Sequence, residues 1–430
     1  MDLFDMLTIK LTLPKRSAPT EKIGGNSIYK LLFRQTKIKA TVKKSEFPGY
    51  FELETGLTPP LDVIFLKDPN SRGKCPNDLT SLKAKKTFTL ASWDEENELL
   101  WENFPDTYSS TDPNEINSSW QGQFLFKEED FKKGLTGLRK PQLGALHALS
   151  GYFSTDQAIE PATVVLPTGT GKTETMLATL IYQRCNKVLV IVPSDSLRNQ
   201  ISEKFIELGY LPELGVVSCD IALPKVAVIK KGLHLIDDVY NIAAKSNVII
   251  ATTSVLSASS ELALNTLCGS CSHLFVDEAH HISANSWQSI KQRFADKRVV
   301  QFTATPFRND KKSLGGKIIY NYTMGEAQRA GYFTNVNLLA IEEYYADLMD
   351  RAIAGKAIEQ LKSDLDNNFD HLLMARTSSK IRAEELAQIY QEIASEFHPV
   401  VVHSTFSKTL VRERLGMLLS RKSRIVICVD

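Results

Sequence analysis

Between about residue 160 and residue 304, short continuous apolar runs alternate with stretches of helical period. The runs are "ATVVLP" (162–167), "KVLVIVP" (187–193), "NVIIAT" (247–252), "HLFVDE" (273–278) and "RVVQFTA" (298–304), with helical stretches such as "TETMLATLIYQRC" and "SLRNQISEKFIEL" between them. Unbroken Val/Ile/Leu runs belong to strands covered on both faces, and their alternation with helices predicts right-handed βαβ crossovers and a doubly wound parallel sheet. Ligands of such sheets sit beyond the carboxyl ends of the strands.

A second series starts near residue 331: strands are predicted at "NVNLLAIEE", "HLLMA", "PVVVHS" and "SRIVICVD", and helices at "IAGKAIEQLKSDL", "KIRAEELAQIYQEIASEF" and "LVRERLGMLLS". This predicts another parallel α/β domain, expected to be incomplete because the sequence stops at Asp430 as a strand ends. Ahead of both, "TIKLTL", "IKATV" and "LDVIFL" predict strands broken by Pro, Gly and Asn. The expected organisation is a mixed, β-rich accessory domain at 1–135, a complete α/β domain at 136–330 and a truncated one at 331–430. Within the first, Trp93, Leu100, Trp101 and Phe104 recur at near-helical spacing and predict a buried stripe.

A length of 430 residues with 43% hydrophobic and 23% charged side chains describes an ordinary soluble globular chain of several domains. The start lacks the pattern of a secretory signal, and no apolar run approaches the roughly 18 residues that cross a bilayer, so a cytoplasmic location and no membrane partner are expected. Six cysteines are too sparse for a disulfide scaffold. Cys268 and Cys271, followed by His273, have ligand-like spacing, but the second pair that a structural zinc site requires is missing. A net charge of +1 conceals segregation: residues 30–44 hold six basic side chains and no acid, while 91–115 hold eight acids and no base. The basic stretch is either a phosphate-touching surface or a solvated strand face.

The chemistry lies at two strand ends. In "VVLPTGTGKTETM", Gly169 and Gly171 allow backbone N–H groups to point inward ahead of a helix, a concavity that takes phosphate oxygens. Lys172 then reaches the outer phosphates and the Thr173 hydroxyl is placed for Mg²⁺. Leu166 stands where the strict phosphate-loop pattern has its first glycine. In "LFVDEAHH", Asp277 and Glu278 end a buried strand, where one carboxylate can hold the metal and its neighbour can deprotonate an attacking water.

Together "LPTGTGKT", "VDEAHH" and "FTATPFR" resemble motifs I, II and III of superfamily 2 helicases of the DEAD/DEAH-box type. "LRKPQ", "VIVPSDSLRNQ" and "IIATTSVL" follow as Q-type, Ia and Ib elements, and the version "TATPFRND…LGGKIIYNY…EAQRAGYF" is most similar to the type III restriction subunit branch and related prokaryotic anti-phage defence helicases. The resemblance runs from about residue 136 to 430 and implies RecA-like sheets. It also implies ATP and Mg²⁺ as cofactors, bound by Thr168, Gly169, Thr170, Gly171, Lys172, Thr173 and Glu174, with Arg139 and Gln142 at the adenine. Asp277 and Thr173 would hold Mg²⁺, Lys172, Asp277 and Glu278 would carry catalysis, and His280, Thr303 and Thr305 would couple nucleotide state to the bound strand. Pro193, Ser194, Arg198, Thr252, Thr253, Thr377, His403 and Ser404 would face nucleic acid, DNA in preference to RNA.

Motif V is expected to begin at "SRIVICVD"; the arginines of motif VI do not follow, so these 430 residues alone are expected to hydrolyse ATP poorly. Two functions stay open: an ATP-driven helicase or translocase, and an ATP-controlled nucleic-acid-binding switch that regulates a partner nuclease of a defence complex without separating strands. An unrelated kinase or GTPase explains neither "DEAH" nor "TATP" at these sheet positions.

Overall fold

The computed structural model describes residues 7–104, 111–155, 160–279, 289–305, 315–334, 337–345 and 348–429. The chain divides into two compact units, Met1–Thr334 and Asn335–Asp430.

Eighteen strands are described: β1 (Thr8–Leu13), β2 (Arg16–Ile23), β3 (Asn26–Phe33), β4 (Thr36–Lys44), β5 (Tyr50–Glu54), β6 (Val63–Lys67), β7 (Ser81–Ala84), β8 (Leu99–Asn103), β9 (Ala162–Val165), β10 (Val188–Val192), β11 (Val226–Val228), β12 (Val248–Thr252), β13 (His273–Asp277), β14 (Arg298–Thr303), β15 (Lys317–Asn321), β16 (Leu373–Thr377), β17 (Val400–Val402) and β18 (Ile425–Val429). In the first unit, β15-β9-β14-β13-β10-β12-β11-β3-β2 form a nine-stranded sheet. From β15 to β11 the pairing is parallel, as the apolar runs predict.

The period of two within each run feeds two separate cores. Val188, Val190 and Val192 of β10 pack into the cluster under helices Lys140–Phe153, Lys172–Tyr182 and Asp195–Glu207, whereas Leu189 and Ile191 pack into the opposite cluster under helices Ile236–Lys245 and Glu261–Ser270. Cys268 and Cys271 belong to that second cluster, and burial pushes their thiols up to about 11 and about 12, so both act as small apolar core residues.

The β-rich character of the first 135 residues is present, but its strands serve two sheets. β1-β4-β5-β6-β7-β8 enclose a core of their own, while the hairpin β2–β3 pairs antiparallel with β11 and extends the parallel sheet. The stripe expected from Trp93, Leu100, Trp101 and Phe104 is not helical. Leu99 and Trp101 of β8 face the core, with Trp93 and Phe104 packed beside them, and Leu100 points outward. The basic stretch lies largely in β4, where Lys37 and Lys39 alternate with inward residues, a solvated strand face.

The second unit contains the parallel sheet β16-β18-β17, covered by helices Met349–Asp366, Lys380–Ile393 and Lys408–Leu419. Ala354, Ile358, Leu361, Ala383 and Tyr390 pack on Val401, Ile425 and Ile427. Of the strand expected at "NVNLLAIEE", residues 335–336 lie outside the described residues; 337–343 are irregular, with Leu338 almost fully exposed in place of the burial that a strand in a parallel sheet requires. Among the described residues, no helix is long and apolar enough to cross a membrane.

Candidate nucleotide-binding site

The loop after β9 turns into helix Lys172–Tyr182 through two glycines in the left-handed region, Gly169 at φ +87° and Gly171 at φ +95°. A Cβ on Gly171 would stand 2.0 Å from Gln142 Nε2, so the position requires glycine for space as well as for its backbone angle. The Thr170 hydroxyl donates to Pro167 O at 2.7 Å and closes the turn from within. The open end of the helix therefore presents its first N–H groups and positive dipole end to the space above β9.

Residues before β9 brace this loop. Arg139 Nη1 donates to Gly169 O at 2.7 Å, and its guanidinium lies 5.2 Å from the centre of the Tyr332 ring. Buried Gln142 is engaged at both ends of its amide: Oε1 accepts from Arg139 N–H at 2.7 Å and Nε2 donates to Gly171 O at 3.3 Å. In this conformation Gln142 props the loop, and reading a base would require releasing those bonds.

The carboxylates at the end of β13 come to the same place. Lys172 Nζ lies 2.9 Å from Glu278 Oε1, with the lysine 9% exposed. Glu278 sits at φ +47°, a left-handed conformation that costs a side-chain-bearing residue about 1–3 kcal/mol. That turn directs its N–H to Asp277 Oδ1 at 3.1 Å. Asp277 is buried, and its carboxyl is pushed up to about 6, first by burial and then by repulsion from Glu278, against the attraction of Lys172.

A folded-state pKa above the unfolded value near 3.9 means that the contribution of Asp277 to stability is complete below pH 4 and is lost as pH rises through about 6. Asp277→Asn removes that titration. The variant is expected to melt several degrees above the parent at pH 8, with the gap narrowing towards pH 4.5. Thermal unfolding across that range checks it, and parallel melting curves would refute the strained state of Asp277.

Thr168, Gly169, Gly171, Lys172, Thr173, Glu174, Asp277 and Glu278 thus line one cleft of about 480 Å³, together with Arg139 and Gln142. Its donor set is hard oxygen from Thr173 and Asp277, a cation at Lys172 and a backbone cradle, which fits a magnesium-bound triphosphate. Among the described residues no three His, Cys, Asp or Glu converge. A divalent ion here would complete its shell with phosphate and water oxygens.

The remaining sequence candidates are placed as follows. Ser194 caps helix Asp195–Glu207 by accepting from Leu197 N–H, after Pro193. Arg198, 5% exposed, pairs with Asp195 at 2.6 Å. Thr252, buried, caps the short helix that Thr253 begins. Thr303 is buried and accepts from Thr305 N–H while its hydroxyl donates to Thr305 O at 2.7 Å, which ties the end of β14 to the turn after it. His280 lies outside the described residues. In the second unit, the Thr377 hydroxyl donates to Ser379 O, His403 is held by Glu384 and Thr405 and stacks on Phe406 at 3.9 Å, and Ser404 is exposed.

Six further residues line the cleft that no motif marks: Glu129, Gly137, Ile201, Lys204, Tyr210 and Leu214. Lys204 sits between Glu174, at 3.6 Å, and the Tyr210 ring, 3.9 Å from its centre. Their sequence signal is weak: Glu129, Gly137, Tyr210 and Leu214 lie outside regular helices and strands, and Ile201 and Lys204 are ordinary residues of helix Asp195–Glu207.

Two solved structures are similar in shape: a Saccharomyces cerevisiae Dbp5 variant bound to a Gle1 variant and IP6, 15% identical with TM-score 0.38 over 67% of this chain and 68% of that one, and a Dbp5 variant from the same organism bound to Nup159, a Gle1 variant, IP6 and ADP, 14% identical with TM-score 0.32 over 68% and 76%. No curated protein sequence matches the chain. Residues 135–308 match the family model of the type III restriction enzyme res subunit. With the phosphate loop and the paired carboxylates meeting in one cleft, that segment is similar to the type III restriction enzyme res subunit family.

Proposed function

We propose that the chain is an ATP-hydrolysing motor of the helicase or translocase type, acting on DNA in preference to RNA within a cytoplasmic defence system that includes a nuclease. The single observation that carries the reading is the cleft in which Lys172, Thr173, Asp277 and Glu278 meet at the carboxyl ends of β9 and β13. A helicase-type ATPase is what this family and fold support in general.

In the proposed cycle, Lys172 leaves Glu278 for the outer phosphates of ATP, and the loop amides from Gly169 to Thr173 take the remaining oxygens. Thr173 and Asp277 would hold magnesium, whose charge would offset that of the phosphates. Glu278, released from Lys172, then orients the attacking water and accepts its proton. Thr303 and Thr305, together with His280, would relay the nucleotide state, and Pro193, Ser194, Thr252 and Thr253 in the first unit and Thr377, His403 and Ser404 in the second would meet the nucleic-acid backbone. Such contacts make binding salt-sensitive and largely independent of sequence.

The test is ATP turnover by the full-length protein with duplex DNA, single-stranded DNA and RNA supplied separately. Stimulation of at least tenfold by DNA is expected, falling steeply with added salt. Absence of stimulation by every polymer would overturn the motor assignment.

A further inference from the structure

The cycle above draws on one lysine of the cleft, yet the wall holds a second, Lys204, on the last turn of helix Asp195–Glu207. The chain directly after that helix fixes its surroundings. Leu208 and Gly209 stand in succession in the left-handed region, at φ +60° and φ +51°, and the Gly209 N–H donates to Lys204 O at 2.9 Å. A Cβ on Gly209 would stand 2.8 Å from Leu177 Cδ1, so glycine lets this turn settle on the phosphate-loop helix. The reversal lays the Tyr210 ring over Lys204, with Nζ 3.9 Å from its centre.

On its other side Lys204 faces Glu174. Nζ lies 3.6 Å from Glu174 Oε1, longer than a hydrogen bond. An ammonium held by an acid at that distance and by an aromatic face keeps its N–H donors for a further partner. Glu174 gives a second reason for a cation here. A carboxylate only 16% exposed, in a cleft that takes phosphates, repels the ligand unless a positive charge offsets it.

Helix geometry sets where Lys204 stands along the ligand. At 3.6 residues per turn, Lys172 and Glu174 project about 200° apart around the axis of helix Lys172–Tyr182. Lys172 turns to Glu278 at the end of β13, whereas Glu174 turns to Lys204 on the opposite flank. A phosphate chain lying across the open end of the helix with its outer groups at Lys172 therefore brings its inner phosphate to the flank of Lys204.

Resting on the reading of the cleft as a triphosphate site, we propose that Lys204 is a second phosphate-binding cation, drawn by ATP from Glu174 to the non-bridging oxygens of the α-phosphate. The two lysines then divide the ligand between them. Each is paired with an acid in the free protein, and each exchanges that acid for phosphate.

The experiment measures the affinity of the full chain for ATP, ADP and AMP, the last by displacement of ADP. Lys204→Ala is expected to weaken all three by a common factor of about ten, because all three carry the α-phosphate. Lys204→Met, which keeps the apolar stem against Tyr210, should do the same, and Lys204→Arg should retain most of the affinity. Glu174→Gln removes the resting partner, so ATP should bind at least as tightly as to the parent. The pair is loose and partly exposed, and all four variants should melt close to the parent. If Lys204→Ala and Lys204→Met leave the three affinities unchanged, or weaken ATP while sparing AMP, the proposal falls. It falls also if Glu174→Gln loses as much affinity as Lys204→Ala, which would make the lysine a mere support for the acid. Lys172→Ala in the same series separates the two levels: if it weakens ATP far more than AMP while the Lys204 variants bind as the parent does, only the inner-phosphate assignment fails, and if it leaves ATP affinity intact, the triphosphate site itself is wrong.

Discussion

Glu278→Gln is expected to lower ATP turnover by about 10²- to 10⁴-fold, the usual contribution of a positioned general base, while ATP·Mg²⁺ affinity stays within a few-fold of the parent or tightens. The two effects separate because of where Glu278 stands. Its carboxylate holds Lys172 at 2.9 Å and raises the neighbouring Asp277. Glutamine keeps the volume and the left-handed turn but removes both electrostatic roles. Lys172 becomes free to meet phosphate, and Asp277 ionises more readily for the metal. Turnover within tenfold of the parent, measured by phosphate release at saturating ATP, would remove Glu278 from the chemistry. The same variant distinguishes motor from switch. Loss of strand displacement with retained control of a partner nuclease would favour the switch.

Lys172→Ala carries the second large effect. Removing a buried cation that makes charge-assisted contacts to phosphate is expected to weaken ATP binding by about 30-fold or more, each such bond contributing about 1.5–3 kcal/mol. The free protein should suffer as well. Without Lys172, Asp277 and Glu278 face each other at the end of β13 with their counter-charge gone, and breaking a buried pair of this kind costs about 3 kcal/mol. The loss should be largest above pH 6, where Asp277 is ionised, and should shrink in mild acid. Calorimetric titration with ATP and melting curves at pH 5 and pH 8 read the two consequences. Unchanged affinity would end the triphosphate interpretation.

What could be read from residues alone follows a physical divide. β9, β10, β12, β13 and β14 were legible because burial on both faces demands unbroken apolar runs, and the loop at Gly169–Thr173 was legible because phosphate binding fixes residue types at fixed spacing. The three residues of β11 and the hairpin β2–β3 were not, since their pairing spans about 200 residues of sequence and leaves no local period. The tryptophan stripe misled because gaps of seven, one and three residues fit a helical face, yet the cross-strand partners of β8 in β7 decided its conformation. Glu129 escaped for a related reason: a cleft wall built by a folded-back loop has no motif, only a closing glycine at 137.

The hairpin β2–β3 also determines where this chain tolerates being divided. A fragment beginning near residue 136 would retain the phosphate loop and the paired carboxylates yet leave β11 as a bare sheet margin, with the apolar ground once covered by Ile28 and Leu31 open to water. Such a margin invites strand addition from other molecules. In the intact chain the outermost position falls to β2, whose Arg16, Pro19 and Lys22 are poor templates for further pairing. The amino-terminal segment thus serves the parallel sheet as a selvedge, the finished border that keeps a woven cloth from unravelling into its neighbours.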